Sequence, residues 1–341
     1  MKGYYDIKDD ISRYKKAWLY MVLSARGPGK TYSVLKYCIN KKVYFLYLKR
    51  TKKDVNLMCK NQEFSPFKAL NRDGVCNVVT EKLDDGIGAF YEGEEKKLIG
   101  YTMSLANISD IKGFDLSECD YLIMDEFIPM QGTRVLRSEG ETLLDIYDTL
   151  KRDRKKKGKD PLKLILYGNP VNLMCPIMRA LGLIDTVYKM QHKGNEYFYD
   201  EYLGIMIHRL DSSKYYIAEQ EDDGIDRLMK GTAWYSANRD GVFGFNDFTK
   251  VGKKSLKGYK PVFEIRTDRE KSVCYKRGNQ LYFCDSPTNH TIPVYDFRIE
   301  TDCEKFLDDV YFRLHDAIVD ERVLFQKSSV YDLIFHFKKY F

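Results

Sequence analysis

Apolar residues in the first half of the chain fall in short unbroken runs rather than in alternation. Residues 19–23, 43–48, 121–124 and 162–166 are such runs, and 76–80 and 98–105 read as further strands. Between them the spacing becomes helical. Val34, Leu35 and Cys38 share one side over 31–39, and Leu143, Tyr147 and Leu150 share one face over 141–150. Strands that are apolar throughout are covered on both faces, and strands that alternate with helices pair in parallel. This half is therefore expected to be an α/β domain, a parallel sheet covered by helices.

After about residue 200 the texture changes. Residues 219–224, Glu-Gln-Glu-Asp-Asp-Gly, suit a linker or an exposed turn. Beyond them 261–265, 273–276, 281–284 and 291–295 read as short strands of a meander, with 276–280 turning between two of them. Val330, Leu333, Ile334, Phe337 and Phe341 are spaced for one helix face. The expected division is an α/β domain over 1–200, a linker over 201–225 and a small α+β domain over 226–341.

Composition adds bounds. The 341 residues suffice for two domains, and 44% apolar with 31% charged residues can bury a full core. A net charge of +6 is too small to announce a nucleic-acid surface, so the distribution of charge has to decide. No apolar run nears the roughly 20 residues that span a bilayer. The opening Met-Lys-Gly-Tyr-Tyr-Asp lacks a signal-peptide core, so neither membrane insertion nor secretion is expected. Eight cysteines without C-x-x-C spacing fit unpaired thiols in a reducing compartment, not a zinc or redox site. His192, His208, His290, His315 and His336 make no metal-ligand spacing. Asp247, Asp268, Asp285, Asp296 and Asp302 are scattered among polar turns, which favours solvated carboxylates over a two-metal nuclease site.

Two motifs carry chemistry. Residues 24–31, Ser-Ala-Arg-Gly-Pro-Gly-Lys-Thr, lie between an apolar strand and a helix. They match the phosphate-cradling pattern G-x-x-x-x-G-K-[ST], with Ser24 in place of the first glycine. Ala25, Arg26, Gly27, Pro28, Gly29, Lys30 and Thr31 are expected to surround phosphate through loop amides at the positive end of the helix. Lys30 would reach the β- and γ-phosphates, and the Thr31 hydroxyl would ligate magnesium. The second motif is the apolar run 121–124, which ends in Asp125 and Glu126. Asp125 would hold the magnesium shell and Glu126 would polarise the attacking water. Together the motifs point to hydrolysis of ATP with Mg2+. Asn169 ends a third apolar strand, as a γ-phosphate sensor or an ordinary turn-former before Pro170.

Two basic clusters leave alternatives open. Residues 151–159 hold seven cations and one anion. They read as a solvated helix end, or as a source of an arginine finger at Arg152 or Arg154. Residues 49–53, Lys-Arg-Thr-Lys-Lys, read as a solvated loop or as contacts to polymer phosphates.

Residues 22–32, 123–128 and 164–169 together resemble the genome-packaging ATPases of phi29-like phages. Residues 148–154 resemble that family's arginine-finger segment, and 280–285 a strand of its C-terminal domain. The resemblance implies an ASCE-type P-loop ATPase domain followed by a degenerate RNase H-like nuclease domain. It implies a homomeric ring, generally a pentamer, at the portal vertex of an empty capsid in the host cytoplasm, driving double-stranded DNA inward. By position it makes Lys30, Thr31, Asp125 and Glu126 the phosphate, magnesium and water-activating groups. It makes Arg152 the trans-acting arginine with Arg154 as substitute, Lys112 a lysine acting between subunits, and Lys49 and Lys52 DNA contacts. For the C-terminal half it favours docking to portal protein or a structural RNA over cutting. The rival readings are a helicase, a nuclease-competent terminase and a small-molecule kinase.

Overall fold

The structure is a computed structural model. It describes residues 3–107, 116–130, 133, 135–136, 138–152, 154–211, 214–215, 224–243 and 249–340, the side chains of 339 and 340 excepted. The chain forms two compact units. One comprises residues 1–177 and 190–245, the other 178–189 and 246–341.

The first unit is built on strands β1 (Leu19–Leu23), β2 (Phe45–Lys49), β3 (Val78–Asp84), β4 (Ile87–Glu92), β5 (Lys97–Ser104), β6 (Tyr121–Met124), β7 (Lys163–Gly168), β8 (Tyr197–Asp200) and β9 (Ile205–Arg209). Among the described residues they make one sheet in the order β3-β4-β5-β2-β6-β7-β1-β9-β8. The six strands from β5 to β9 are parallel, as the apolar runs of β1, β2, β6 and β7 led one to expect. The edges depart from expectation. β3 and β4 pair antiparallel beyond β5, and β8 pairs antiparallel with β9. The sheet is therefore mixed, and tight turns such as Asp85-Gly86 allow its edges to fold back.

Helices α1 (Ile7–Arg13), α2 (Lys30–Lys41), α3 (Lys52–Lys60), α4 (Lys68–Arg72) and α5 (Glu139–Lys151) belong to this unit. A core of Tyr20, Val22, Val34, Leu35, Phe45, Tyr47, Ile123 and Tyr167 joins sheet to helices. At its C-terminus α2 closes on Lys42 in the left-handed conformation, whose N–H reaches the carbonyls of Cys38 and Ile39. α3 starts with a reciprocal Thr51–Asp54 capping box, which fixes where the chain turns after β2. The division expected at residue 200 falls within the β8–β9 hairpin, whose second strand pairs with β1. Of the acidic stretch 219–224, only Gly224 lies among the described residues.

The second unit holds β10 (Lys260–Arg266), β11 (Lys271–Arg277), β12 (Gln280–Cys284), β13 (Val294–Asp296) and β14 (Val323–Phe325). Their order is β13-β10-β11-β12-β14, with an antiparallel meander from β10 to β12 and parallel partners at both edges. One face packs Phe263, Phe283, Phe306, Phe325 and Ile334, and the other Tyr259, Val273, Tyr275 and Tyr282. The single final helix expected from spacing is two, Ser328–Phe335 and Phe337–Tyr340, separated at His336. Residues 178–189 join this unit through Asp185, which accepts hydrogen bonds from the Ser328 N–H (2.8 Å) and the Ser329 hydroxyl (2.6 Å). That carboxylate caps a helix 143 positions away, a contact invisible to local pattern. Among the described residues no helix is long and apolar enough to cross a membrane.

Gly168 at the end of β7 is packed too tightly for a side chain. An added Cβ would stand 2.8 Å from the Phe127 ring and 2.9 Å from Ile128. Gly168→Ala is expected to lower unfolding stability by about 1–3 kcal/mol through overpacking. A shift in the urea midpoint at unchanged slope would measure it.

Candidate active site

β1, β7, β6 and β2 run side by side, so their C-terminal ends open on one edge of the sheet. In open parallel sheets this edge is where ligands bind. Residues 24–29, following β1, turn through Gly27 (φ 102°) and Gly29 (φ 89°), a conformation that glycine adopts without strain. Gly29 is the N-cap of α2, makes no side-chain cap bond, and no acidic residue stands in the first turn. The helix thus begins with amide donors available to an anion.

The loop is braced from behind. The Tyr5 N–H donates to the Pro28 carbonyl at 3.0 Å and the Ile7 N–H to the Ser33 hydroxyl at 2.7 Å. The Tyr5 hydroxyl donates to Asp10 at 2.8 Å, and the buried His208 ring lies 2.8 Å from the same carboxylate oxygen. Local pattern does not reveal this brace, whose members lie before and on α1, in the loop, on α2 and on β9.

Lys30 is 9% exposed, and among the described residues its hydrogen bonds go to uncharged oxygens. Its Nζ donates to the Ser24 hydroxyl (2.6 Å), the Ser24 and Ala25 carbonyls (3.2 Å each) and Asn169 Oδ1 (3.1 Å). Burial depresses its pKa to about 8, with Asp125 and Glu126 opposing the drop and Arg26 adding to it. Ser24, where the motif has glycine, is fully buried. Its N–H donates to the Gly168 carbonyl at 3.1 Å, so it ties the loop to β7 as well as holding the ammonium.

The Thr31 hydroxyl donates to Asp125 Oδ2, and the Tyr47 hydroxyl reaches that oxygen at 3.1 Å. Burial, first, and the neighbouring Asp125 push the Tyr47 phenol well above its ordinary pKa, so it remains a neutral donor. Tyr47 escaped the sequence reading because only the β2–β6 register brings it beside Asp125. A threonine hydroxyl and a carboxylate oxygen in direct contact are hard donors suited to one magnesium ion, which keeps its remaining positions for water and phosphate. Among the described residues no group of three or more His, Cys, Asp or Glu could hold a metal by itself.

Glu126 is exposed and sits at φ 57°, a left-handed conformation that costs a non-glycine residue energy. The Glu126 N–H donates to Asp125 Oδ1 at 2.9 Å, and the Phe127 N–H to the Tyr167 carbonyl at 3.0 Å. Hydrogen bonds therefore join Lys30 to Asn169 and Thr31 to Asp125, with Glu126 at their margin.

The remaining expectations separate. Arg152 caps the end of α5 with a side chain 70% exposed, 4.0 Å from Asp148. Arg154, its substitute, is unavailable. It is buried, pairs with Asp120 at 2.7 Å and donates to the carbonyls of Cys119 (2.6 Å) and Asp160 (2.8 Å). Its role is to fasten the segment after α5 to that before β6. Lys49 leans over the Tyr47 ring at 5.5 Å, and Lys52 pairs with Asp85 at 3.3 Å. Arg50 of the same cluster turns inward, contrary to both solvated-loop and polymer-contact readings. Lys112 and Asp247 lie outside the described residues. In the second unit Asp285 faces Lys327 at 3.0 Å, and Asp296 faces Arg298, whose hydrogen bond holds its carboxyl at about 2.

The family described as podovirus DNA encapsidation protein (Gp16) matches residues 2–310. The DNA packaging protein of Bacillus phage PZA is 24% identical over 258 residues, 72% of this chain and 68% of that one. A chain of the bacteriophage Phi-29 viral genome packaging motor assembly superposes with TM-score 0.67 and 19% identity, over 99% of each chain. The Phi-28 gp11 DNA packaging motor does so with TM-score 0.63 and 17% identity, over 100% of this chain and 98% of the other.

The depressed Lys30 has a consequence for binding. An anion on the loop raises the ammonium's pKa, so association above its free value takes up a proton. ATP affinity is expected to be flat below about pH 8 and to fall up to about tenfold per unit above it. Calorimetric titration over that range checks this, with Lys30→Arg, which stays charged, losing the slope. A wild-type affinity independent of alkaline pH would contradict it.

Proposed function

The chain belongs to the podovirus DNA encapsidation family, so its work is the packaging of phage DNA, and we propose that it does this as an ATP-driven motor. The observation that carries the ATP reading is the buried Lys30 ammonium, whose hydrogen-bond partners among the described residues are all neutral, beside the Thr31–Asp125 pair. The sheet order supports an ASCE-type P-loop domain. β7 stands between β1, which feeds the glycine loop, and β6, which carries the acids, as the additional strand that defines that class.

In this reading Lys30 exchanges Ser24 and Ala25 for the β- and γ-phosphates, and loop amides from Arg26 to Thr31 enclose the chain of phosphates. Thr31 and Asp125 would hold magnesium, which would offset phosphate charge when bound. Glu126 orients the attacking water and takes its proton. Asn169, bonded to Lys30, senses whether the γ-phosphate is present. Arg152, exposed at the end of α5, completes a neighbouring subunit's site, and Lys112 acts at the same boundary. The subunits form a ring, a pentamer by resemblance. Lys49 and Lys52 meet the phosphates of double-stranded DNA, a contact indifferent to sequence.

The antiparallel meander of the second unit, with β13 parallel beside β10, supports an RNase H-like ancestry, while β14 joins the opposite edge through β12. Asp285 and Asp296 each face a cation of this chain, which favours docking to portal protein or a structural RNA over metal-dependent cutting.

Glu126→Gln is expected to lower ATP turnover at least about 100-fold while sparing nucleotide binding. Arg152→Ala should lower turnover only in assemblies, and mixing it with an Asp125 variant should restore part of it. Turnover assays with and without capsids and DNA, beside equilibrium ATP binding, check both. An active Glu126→Gln chain, or an Arg152→Ala defect in the isolated monomer, would contradict these roles.

A further inference from the structure

Asp10 and His208 are buried, at 2% and 1% exposure, and the ATP site uses neither. Asp10 Oδ2 meets the Tyr5 hydroxyl and His208 Nδ1, each at 2.8 Å. An ionised carboxylate oxygen only accepts, so both partners donate to it. Burial, first, and then Tyr167 and Asp10 push the Tyr5 phenol well above its ordinary pKa, which keeps its proton in place. On the far side of the pair the Tyr197 ring stacks on His208 with centroids 4.0 Å apart, and Glu196 lies 3.6 Å from His208 Nε2. Glu196 pairs in turn with Lys214 at 2.5 Å, in the segment that follows β9.

The chain that carries Asp10 also touches the phosphate loop at three points. The Tyr5 N–H donates to the Pro28 carbonyl at 3.0 Å and the Ile7 N–H to the Ser33 hydroxyl at 2.7 Å. The Tyr4 ring lies against Gly29, where an added Cβ would stand 3.3 Å from it. These contacts bracket Gly29-Lys30, the junction at which loop becomes helix. Gly27 and Gly29 give that junction several accessible conformations, so contacts from outside the loop have to select one. Tyr5 links the two sides, its amide on the loop and its hydroxyl on Asp10. We propose that Asp10 is a positioning residue for nucleotide binding: through Tyr5 it holds the phosphate loop in its binding shape, and through His208 it ties that shape to β9. This role rests on residues 24–31 binding the phosphates. The competing explanation is that Asp10 only secures α1 to the sheet, in which case its loss lowers stability and leaves ATP affinity alone.

The test compares full-length wild type with Lys30→Met, Asp10→Leu, Asp10→Asn and Tyr5→Phe. It reads the ATP dissociation constant by calorimetry, the thermal midpoint, and the His208 ring resonance in histidine-labelled protein. Asp10→Leu and Tyr5→Phe are expected to weaken ATP binding about tenfold, the factor that one buried hydrogen bond supplies. Asp10→Asn, whose amide oxygen can accept from both partners, should bind ATP as wild type does. In wild type ATP should move the His208 resonance, and in Tyr5→Phe that movement should vanish. Should Asp10→Leu fail to fold, Tyr5→Phe decides, because it keeps the ring and removes one hydroxyl. Wild-type ATP affinity in Tyr5→Phe, or a wild-type His208 resonance indifferent to ATP, beside a Lys30→Met chain that binds poorly, would overturn the role of Asp10 alone. Wild-type affinity in Lys30→Met would overturn the phosphate site and this role with it.

Discussion

A lysine ammonium held in a nearly closed site by neutral oxygens is the constraint around which the first unit is organised. Burial without a directly bonded carboxylate makes the charged form costly, and the depressed pKa of Lys30 is that cost expressed chemically. The chain tolerates it by giving every direction of the ammonium an acceptor, from Ser24, Ala25 and Asn169. Each acceptor is one that a phosphate oxygen can replace. Ser24 gains a purpose here. In the position where the motif carries glycine, it parks the ammonium and anchors the loop to β7.

That arrangement depends on the parallel centre of the sheet. Four adjacent strands end at one edge, so the loop after β1, the acids after β6, Asn169 after β7 and Tyr47 on β2 converge although long stretches of chain separate them. The left-handed backbone at Glu126 is flanked by fixed partners of Phe127, the Tyr167 carbonyl and the Arg50 guanidinium. The same edge shows how little charge alone reveals. Within residues 49–53, Arg50 is interior, Lys49 lies over an aromatic ring, and Lys52 is paired.

The parallel strands β1, β2, β5, β6 and β7 were legible from their apolar runs, and the glycine loop and twin acids because their chemistry demands particular residues at particular spacings; β9 was not, and fell in the linker expected over 201–225. The antiparallel edges were not. β4, residues 87–92, mixes glycine with aromatics, and β8 alternates too weakly to stand out. Contacts set by register or distance were beyond reach: Tyr47 on Asp125, Asp185 capping a helix near residue 328, and Arg50 on Glu139. Arg152 and Arg154 read alike in sequence. Only folding buries the second and leaves the first in solvent.

The central claim is that Lys30, Thr31, Asp125 and Glu126 converge on one magnesium-bound triphosphate. A structure of the full chain with magnesium and a non-hydrolysable ATP analogue tests it most directly. Lys30 is expected to leave Ser24 for the phosphates, and Thr31 and Asp125 to separate and hold the ion. A nucleotide lodged elsewhere, or Lys30 still bonded to Ser24 with ligand present, would contradict it.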